Sequence, residues 1–197
     1  PITASPVAEL AGADVAIWTT TPWTIPGNRA IAYASASDYV GLTVRQVAES
    51  SRAKPGDRLV VAAALLEDLT ARAGITGHDI FWQGPGSALA GVVAAHPLRG
   101  LGYEFAVPLY AGDFVTLDQG TGFVHIAPGH GTDDYELGLK HGLTAPETVD
   151  GEGRFTAAAP LFAGKVVYTA QGKEGDANAA VITALEAASA ILARSKL

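Results

Sequence analysis

Two histidines and two carboxylates fall within ten residues of one another, at His125, His130, Asp133 and Asp134. About a hundred residues upstream lie three consecutive hydroxyls, Thr19, Thr20 and Thr21, followed by Trp23 and, after a turn, Asn28. An imidazole and a carboxylate can move a proton, hold an ammonium group or ligate a metal. Threonine hydroxyls can hold a small polar ligand or a water, and an indole can wall the space. Each residue also has an ordinary structural reading: the threonines as a strand end, His125 as a satisfied core imidazole, His130 as a turn residue, and Asp133 and Asp134 as charges that suit a helix N-terminus. Phe123, Val124 and Ile126 read as core. The chain has no cysteine and no Gly-X-Ser-X-Gly elbow, so no side chain stands out as a covalent nucleophile. No Cys-X-X-Cys or His-Glu-X-X-His pattern accompanies the histidines, so no metal site is expected. Gly120-Thr121-Gly122 precedes a strand instead of opening a helix, which is the wrong order for a dinucleotide fingerprint.

The elements that must position these groups follow from punctuation and periodicity. Residues 123–126 read as a strand broken by Pro128-Gly129, after which Thr132 reads as the N-cap of a helix running to about His141. Residues 14–21 read as a strand that stops at Pro22 and presents the threonines at its tip. Further short strands are expected at 29–34, 39–45, 58–62, 79–83, 89–94, 104–110, 114–117 and 165–169. Helices are expected at 63–73, closed by Gly74, and at 176–194, where Val181, Leu185, Ala188 and Leu192 share a face. Strands divided by tight turns, with helices inserted and not strictly alternating, predict a mainly β fold: a β-barrel-like core with flanking α-helices.

Composition bounds the partners. The chain has 197 residues, is 48% hydrophobic and only 17% charged, and carries a net charge of −7. That length and composition suit one globular domain, 1–197. The negative charge argues against a broad electrostatic grip on nucleic acid, which needs clustered Lys and Arg. No apolar run is long enough to span a membrane, and the lack of cysteine fits a reducing cytoplasm. With no methionine and Pro1 at its start, the sequence is expected to be cut from a longer polypeptide.

From the residues alone emerges a hydroxyl-lined, aromatic-walled pocket holding a carboxylate and an imidazole. Trp18-Thr-Thr-Thr-Pro-Trp-Thr-Ile-Pro-Gly-Asn28 and Gly120-Thr-Gly-Phe-Val-His-Ile-Ala-Pro-Gly-His-Gly-Thr-Asp-Asp-Tyr135 resemble the two signature segments of the editing domain inserted in class I isoleucyl-tRNA synthetases. The valyl and leucyl relatives carry Arg where this chain has Thr21, and Pro-Ala-His-Asp where it has Pro128-Gly-His-Gly131. The resemblance in layout covers nearly the whole chain. It implies hydrolytic proofreading, namely deacylation of valyl-tRNA for isoleucine, or of valyl-adenylate. A single methylene is worth only about 1–3 kcal/mol in an apolar pocket, a limit for which isoleucine against valine is itself the standard example.

The resemblance also implies roles. Asp134 holds the substrate α-ammonium, His125 shapes the side-chain pocket, and Thr19, Thr20, Thr21 and Trp23 contact substrate and orient water, with Asn28 a polar position on the same segment. Asp134, Thr20 and Thr21 are the catalytic candidates. The implied partners are the 3′ end of mischarged isoleucine tRNA, valine and the rest of the parent synthetase. No cofactor is implied for this domain, since ATP and Mg belong to the parent's synthetic domain. Two readings from other classes stay open: a metal-dependent hydrolase and a non-catalytic module that binds the tRNA acceptor end. Because the chain is acidic, full-length tRNA should bind it at physiological salt with a Kd above about 1 µM. Sub-micromolar binding in a filter or fluorescence titration would contradict this.

Overall fold

β-branched and aromatic runs between glycine, proline and aspartate turns form nine strands among the described residues, which are 1–194 of the computed structural model. In chain order the elements are β1 (Ile2–Ala4), β2 (Asp14–Val15), β3 (Ala30–Tyr33), β4 (Asp38–Val47), β5 (Arg58–Ala62), α1 (Leu66–Ala73), β6 (Ile75–Pro85), β7 (Val93–Ala95), β8 (Ala106–Ala111), β9 (Phe123–Ile126), α2 (Thr132–His141) and α3 (Ala177–Ala187). The fold is mainly β with flanking helices, as the sequence predicts. The strands form two mixed sheets, ordered β1-β7-β8-β3-β9 and β2-β5-β4-β6, and neither closes into a barrel. Pairs β3·β8 and β2·β5 run parallel and the others antiparallel.

Three apolar clusters hold these layers. The largest contains the fully buried Leu10, Tyr39, Leu42, Val44, Val60, Val61 and Leu89. Along β4, Gly41 lies under the ring of Phe81 from β6; a Cβ there would come within 2.5 Å of that ring, so only glycine lets the aromatic cover the strand. A second cluster packs Val181 and Leu185 of α3 with Phe155, Phe162, Tyr103 and Ile25, and so supports the segment carrying Thr24. The third joins Ala30 and Ala32 of β3 to Ile126 of β9 and Leu137 of α2, which fixes the angle at which α2 leaves the sheet.

Several elements differ from expectation. The strand at 14–21 pairs only over Asp14–Val15; Ala16 N–H still bonds Val60 O, but farther on Thr19 Oγ1 accepts the Thr21 N–H, a local turn that competes with the ladder. Residues 114–117 form no strand, and 165–169 make only isolated bridges. Residues 86–89 are a 3₁₀ turn before β7. The C-terminal helix ends at Ala187, because Ser189 turns left-handed (φ 55°) and Ala190 N–H folds back to Leu185 O. Val181 and Leu185 are therefore buried while Ala188 is exposed. Residues 195–197 of the expected domain lie outside the described residues.

One side chain ties both sheets to the start of β9. Tyr39 of β4 has no exposed surface; its phenol donates to Gly122 O (2.6 Å) and accepts from Ala34 N–H (2.9 Å). Burial pushes its pKa up to about 12. Gly122 is left-handed (φ 76°), and a Cβ would lie 2.3 Å from that of Ala62, so the approach to β9 admits no side chain here. Tyr39→Phe leaves an N–H and a C=O unpaired, and should cost about 2–6 kcal/mol, at about 1–3 per unsatisfied group. The readout is a lower urea midpoint at unchanged slope; a loss under about 0.5 kcal/mol would show that these groups pair elsewhere.

Candidate active site

β9 delivers His125 and the start of α2 delivers Asp134, while residues 18–24 bring the threonines against them. The antiparallel ladder sets Ile31 of β3 opposite His125 and so turns the imidazole inward, where it is 8% exposed. After Ile126 the chain tightens: His130 N–H bonds Ala127 O (2.8 Å), and Asp134 Oδ2 accepts the N–H of the fully buried Ala127 (2.7 Å). The N-cap of α2 is Gly131, so Thr132 is the first helical residue and not the cap expected from sequence. Asp134 also does more than suit a helix dipole, since it is the acceptor that closes the corner.

Thr19, Thr20, Thr21, His125 and Asp134 meet around one cleft of about 340 Å³. Two expected site residues do not line it. Trp23 packs edge-on against His130 (centroids 4.9 Å apart) and its backbone N–H donates to Asn178 Oδ1 of α3 (2.9 Å), because the 3₁₀ turn at Pro22–Gly27 carries it away from the threonine tip. Asn28, just after that turn, is 2% exposed, and its Oδ1 has no partner among the described residues. Conversely, Trp18, Thr24, Phe114 and His130 line the cleft. Thr24 stands three residues after Thr21, the spacing of one 3₁₀ turn, which was the available signal for it. The signal for His130 was its place between two glycines at the corner.

Hydrogen bonding fixes the state of His125. The Thr24 hydroxyl has one proton and donates it to Thr21 O (2.9 Å). It therefore accepts from His125 Nε2–H (3.0 Å), and the imidazole is the Nε2–H tautomer with a bare Nδ1. That Nδ1 is sealed from solvent and has no partner among the described residues. Burial lowers the His125 pKa to about 4, with a smaller contribution from His130, so the ring is neutral at physiological pH. Below it, His96 Nε2–H donates to Ile25 O (2.9 Å) while its Nδ1 accepts from Leu98 N–H (3.1 Å), bracing the turn that holds Thr24.

The Asp134 carboxyl is half-buried. Desolvation raises its pKa, the Ala127 N–H partly opposes this, and nearby Asp133 raises it further. Among the described residues no lysine or arginine lines the cleft, and Asp134 has no cationic partner. The cleft can therefore hold an ammonium group at one side and present hydroxyls at the other. Among the described residues no three His, Cys, Asp or Glu side chains are grouped to hold a metal ion, and no helix is long and apolar enough to cross a membrane.

The chain is 45% identical to the isoleucine–tRNA ligase of Bradyrhizobium diazoefficiens over its whole length, which is 21% of that protein. It is 47% identical to that of Gluconobacter oxydans over 84% of this chain and 17% of the relative. The chain thus spans about a fifth of the length of the curated relatives it matches. The leucyl-tRNA synthetase editing domain of Plasmodium falciparum superposes with a TM-score of 0.49 at 17% identity, over 63% of this chain and 45% of that one, a likeness too loose to assign any residue a role. The sequence model described as "Leucyl-tRNA synthetase, editing domain" matches residues 84–194. That stretch includes His125, His130 and Asp134 and more than half of the chain, which therefore belongs to this editing-domain family.

Proposed function

We propose that the cleft hydrolyses the ester joining valine to the 3′ end of isoleucine tRNA, as the proofreading unit of an isoleucyl-tRNA synthetase. The observation that carries this reading is Asp134: a half-buried carboxylate without a cationic partner among the described residues, across a small cleft from three threonines. An α-ammonium group entering there offsets the desolvation of the carboxylate and fixes the ester relative to the hydroxyls. The exposed Thr20 has no side-chain partner among the described residues and is free to hold a water. His125 forms the wall against which the aliphatic side chain is sized. Valyl-adenylate presents the same ammonium and acyl groups and is a second substrate of the same cleft.

Water is the nucleophile. The hydroxyl oxygen of water adds to the acyl carbon, the ribose oxygen leaves with a proton, and valine and free tRNA result. The tRNA 3′ end, valine, the remainder of the synthetase and a cytoplasmic setting belong to this proposal. Among the described residues no three His, Cys, Asp or Glu side chains are grouped as the metal-hydrolase alternative would need, and turnover separates a hydrolase from a module that only binds the acceptor end.

Deacylation by the chain should be faster on valyl-tRNA than on isoleucyl-tRNA. Asp134→Asn is the informative variant, because its amide oxygen still accepts the Ala127 N–H while the charge is lost. Its kcat/KM on valyl-tRNA should fall by at least about thirtyfold, the equivalent of about 2 kcal/mol. Asp133→Asn should change it by less than about threefold. Binding without turnover in the unaltered chain, or equal losses for the two variants, would overturn this reading.

A further inference from the structure

His130 has no role in the account so far, yet it lines the cleft and is held from three sides. Its Nε2 lies 2.6 Å from Thr148 Oγ1. Trp23 meets the ring at 76°, and Gly27 leaves it room, since a Cβ there would come within 3.1 Å of Cδ2 and 3.4 Å of Nε2. The Cδ2–Nε2 edge therefore faces the interior, and the edge bearing Nδ1 faces the other way.

Thr148 determines where the ring proton sits. It has no exposed surface, and among the described residues its hydroxyl has no partner except His130. If Nε2 carried the proton, the Thr148 O–H would be buried with nothing to accept it, a costly arrangement. The hydroxyl therefore donates to Nε2, and the ring proton resides on Nδ1. This is the opposite tautomer to that of His125. Nδ1 has no protein partner among the described residues, and unlike Nδ1 of His125 it is not sealed from solvent. Burial lowers the His130 pKa, so the imidazole stays neutral.

We propose that His130 donates its Nδ1–H to the carbonyl oxygen of the ester bound in the cleft and stabilises the oxyanion that forms there; this rests on the hydrolytic reading above. Water oxygen bonds to the acyl carbon and the carbonyl π pair moves onto oxygen, where the Nδ1–H meets it. Collapse restores the carbonyl and breaks the bond to the ribose oxygen, which takes up a proton from the attacking water. The imidazole neither gains nor loses a proton overall. A fixed, neutral donor of this kind needs no reorganisation as charge develops, and that is what makes such donors effective. Thr148 is its positioning residue, because it sets the tautomer without reaching the substrate.

The test pairs a spectrum with rates. In ¹⁵N-histidine-labelled protein, the His130 resonances should show a protonated Nδ1 and a bare Nε2, and Thr148→Val should abolish that bias while Thr148→Ser keeps it. On valyl-tRNA, His130→Phe should lower kcat by about a hundredfold or more with little change in KM. His130→Asn, whose amide N–H can occupy the place of Nδ1–H, should recover most of that loss. A protonated Nε2 in the unaltered protein overturns the proposal whether or not the Phe variant folds. So does a Phe variant within a few-fold of the unaltered rate, or equal losses for Phe and Asn. An unaltered chain that leaves valyl-tRNA intact overturns the hydrolytic reading itself, and the donor role with it.

Discussion

The Thr24 hydroxyl has a single proton, and where that proton goes decides the character of the cleft. Because it is donated to Thr21 O, His125 must supply the hydrogen bond between them, and the two segments of the site become one rigid unit. Much of the fold serves to keep this contact in place. The β3·β9 ladder orients His125, the bond from His96 to Ile25 O braces the turn carrying Thr24, and Asn178 of α3 holds the backbone of Trp23 in that turn. Arg29, stacked 4.1 Å over Phe105, donates to Asn28 O (2.7 Å) and closes the turn from its other end. Losing Thr24's acceptor would leave a buried imidazole N–H unpaired, at about 1–3 kcal/mol.

Rigidity matters because of what the cleft is proposed to discriminate. A pocket that admits a smaller aliphatic side chain and refuses one longer by a methylene cannot rely on favourable contact, since the larger group makes more of it. It needs a wall that does not yield. A buried, neutral imidazole with both χ angles fixed by packing and a hydrogen bond is stiffer than an aliphatic chain of similar size. The two cleft histidines differ by tautomer: His125, the proposed wall, turns its proton inward to Thr24, whereas His130 has its Nε2 occupied by Thr148 and its Nδ1 edge left free.

Much of this was legible in the residues. The strand at His125, the corner at Pro128-Gly129 and the helix beginning near Asp133 could be read from periodicity and punctuation, because those signals are local. The convergence of Thr19, Thr20 and Thr21 with His125 and Asp134 could be read only through the resemblance, since about a hundred residues separate them. Which of Trp23, Asn28 and His130 would line the cleft was not legible. Trp23 leaves the cleft and His130 enters it because of a 3₁₀ turn at Pro22–Gly27 and a buried hydroxyl at Thr148, both fixed by tertiary packing. The mainly β core with flanking helices was legible but the closure of its sheets was not: alternation identifies strands but not which edges meet, and here two sheets remain open.

The central claim is that His125 is the wall and not the base. It is tested by a pair of rates for His125→Ala, one on valyl-tRNA and one on isoleucyl-tRNA. Removing the ring opens space for the extra methylene, so isoleucyl-tRNA, protected before, should now be hydrolysed at a rate comparable with valyl-tRNA. If valyl-tRNA hydrolysis instead falls by about a hundredfold or more, as on loss of a general base, while isoleucyl-tRNA stays protected, His125 belongs to the chemistry and the account of the sieve is wrong.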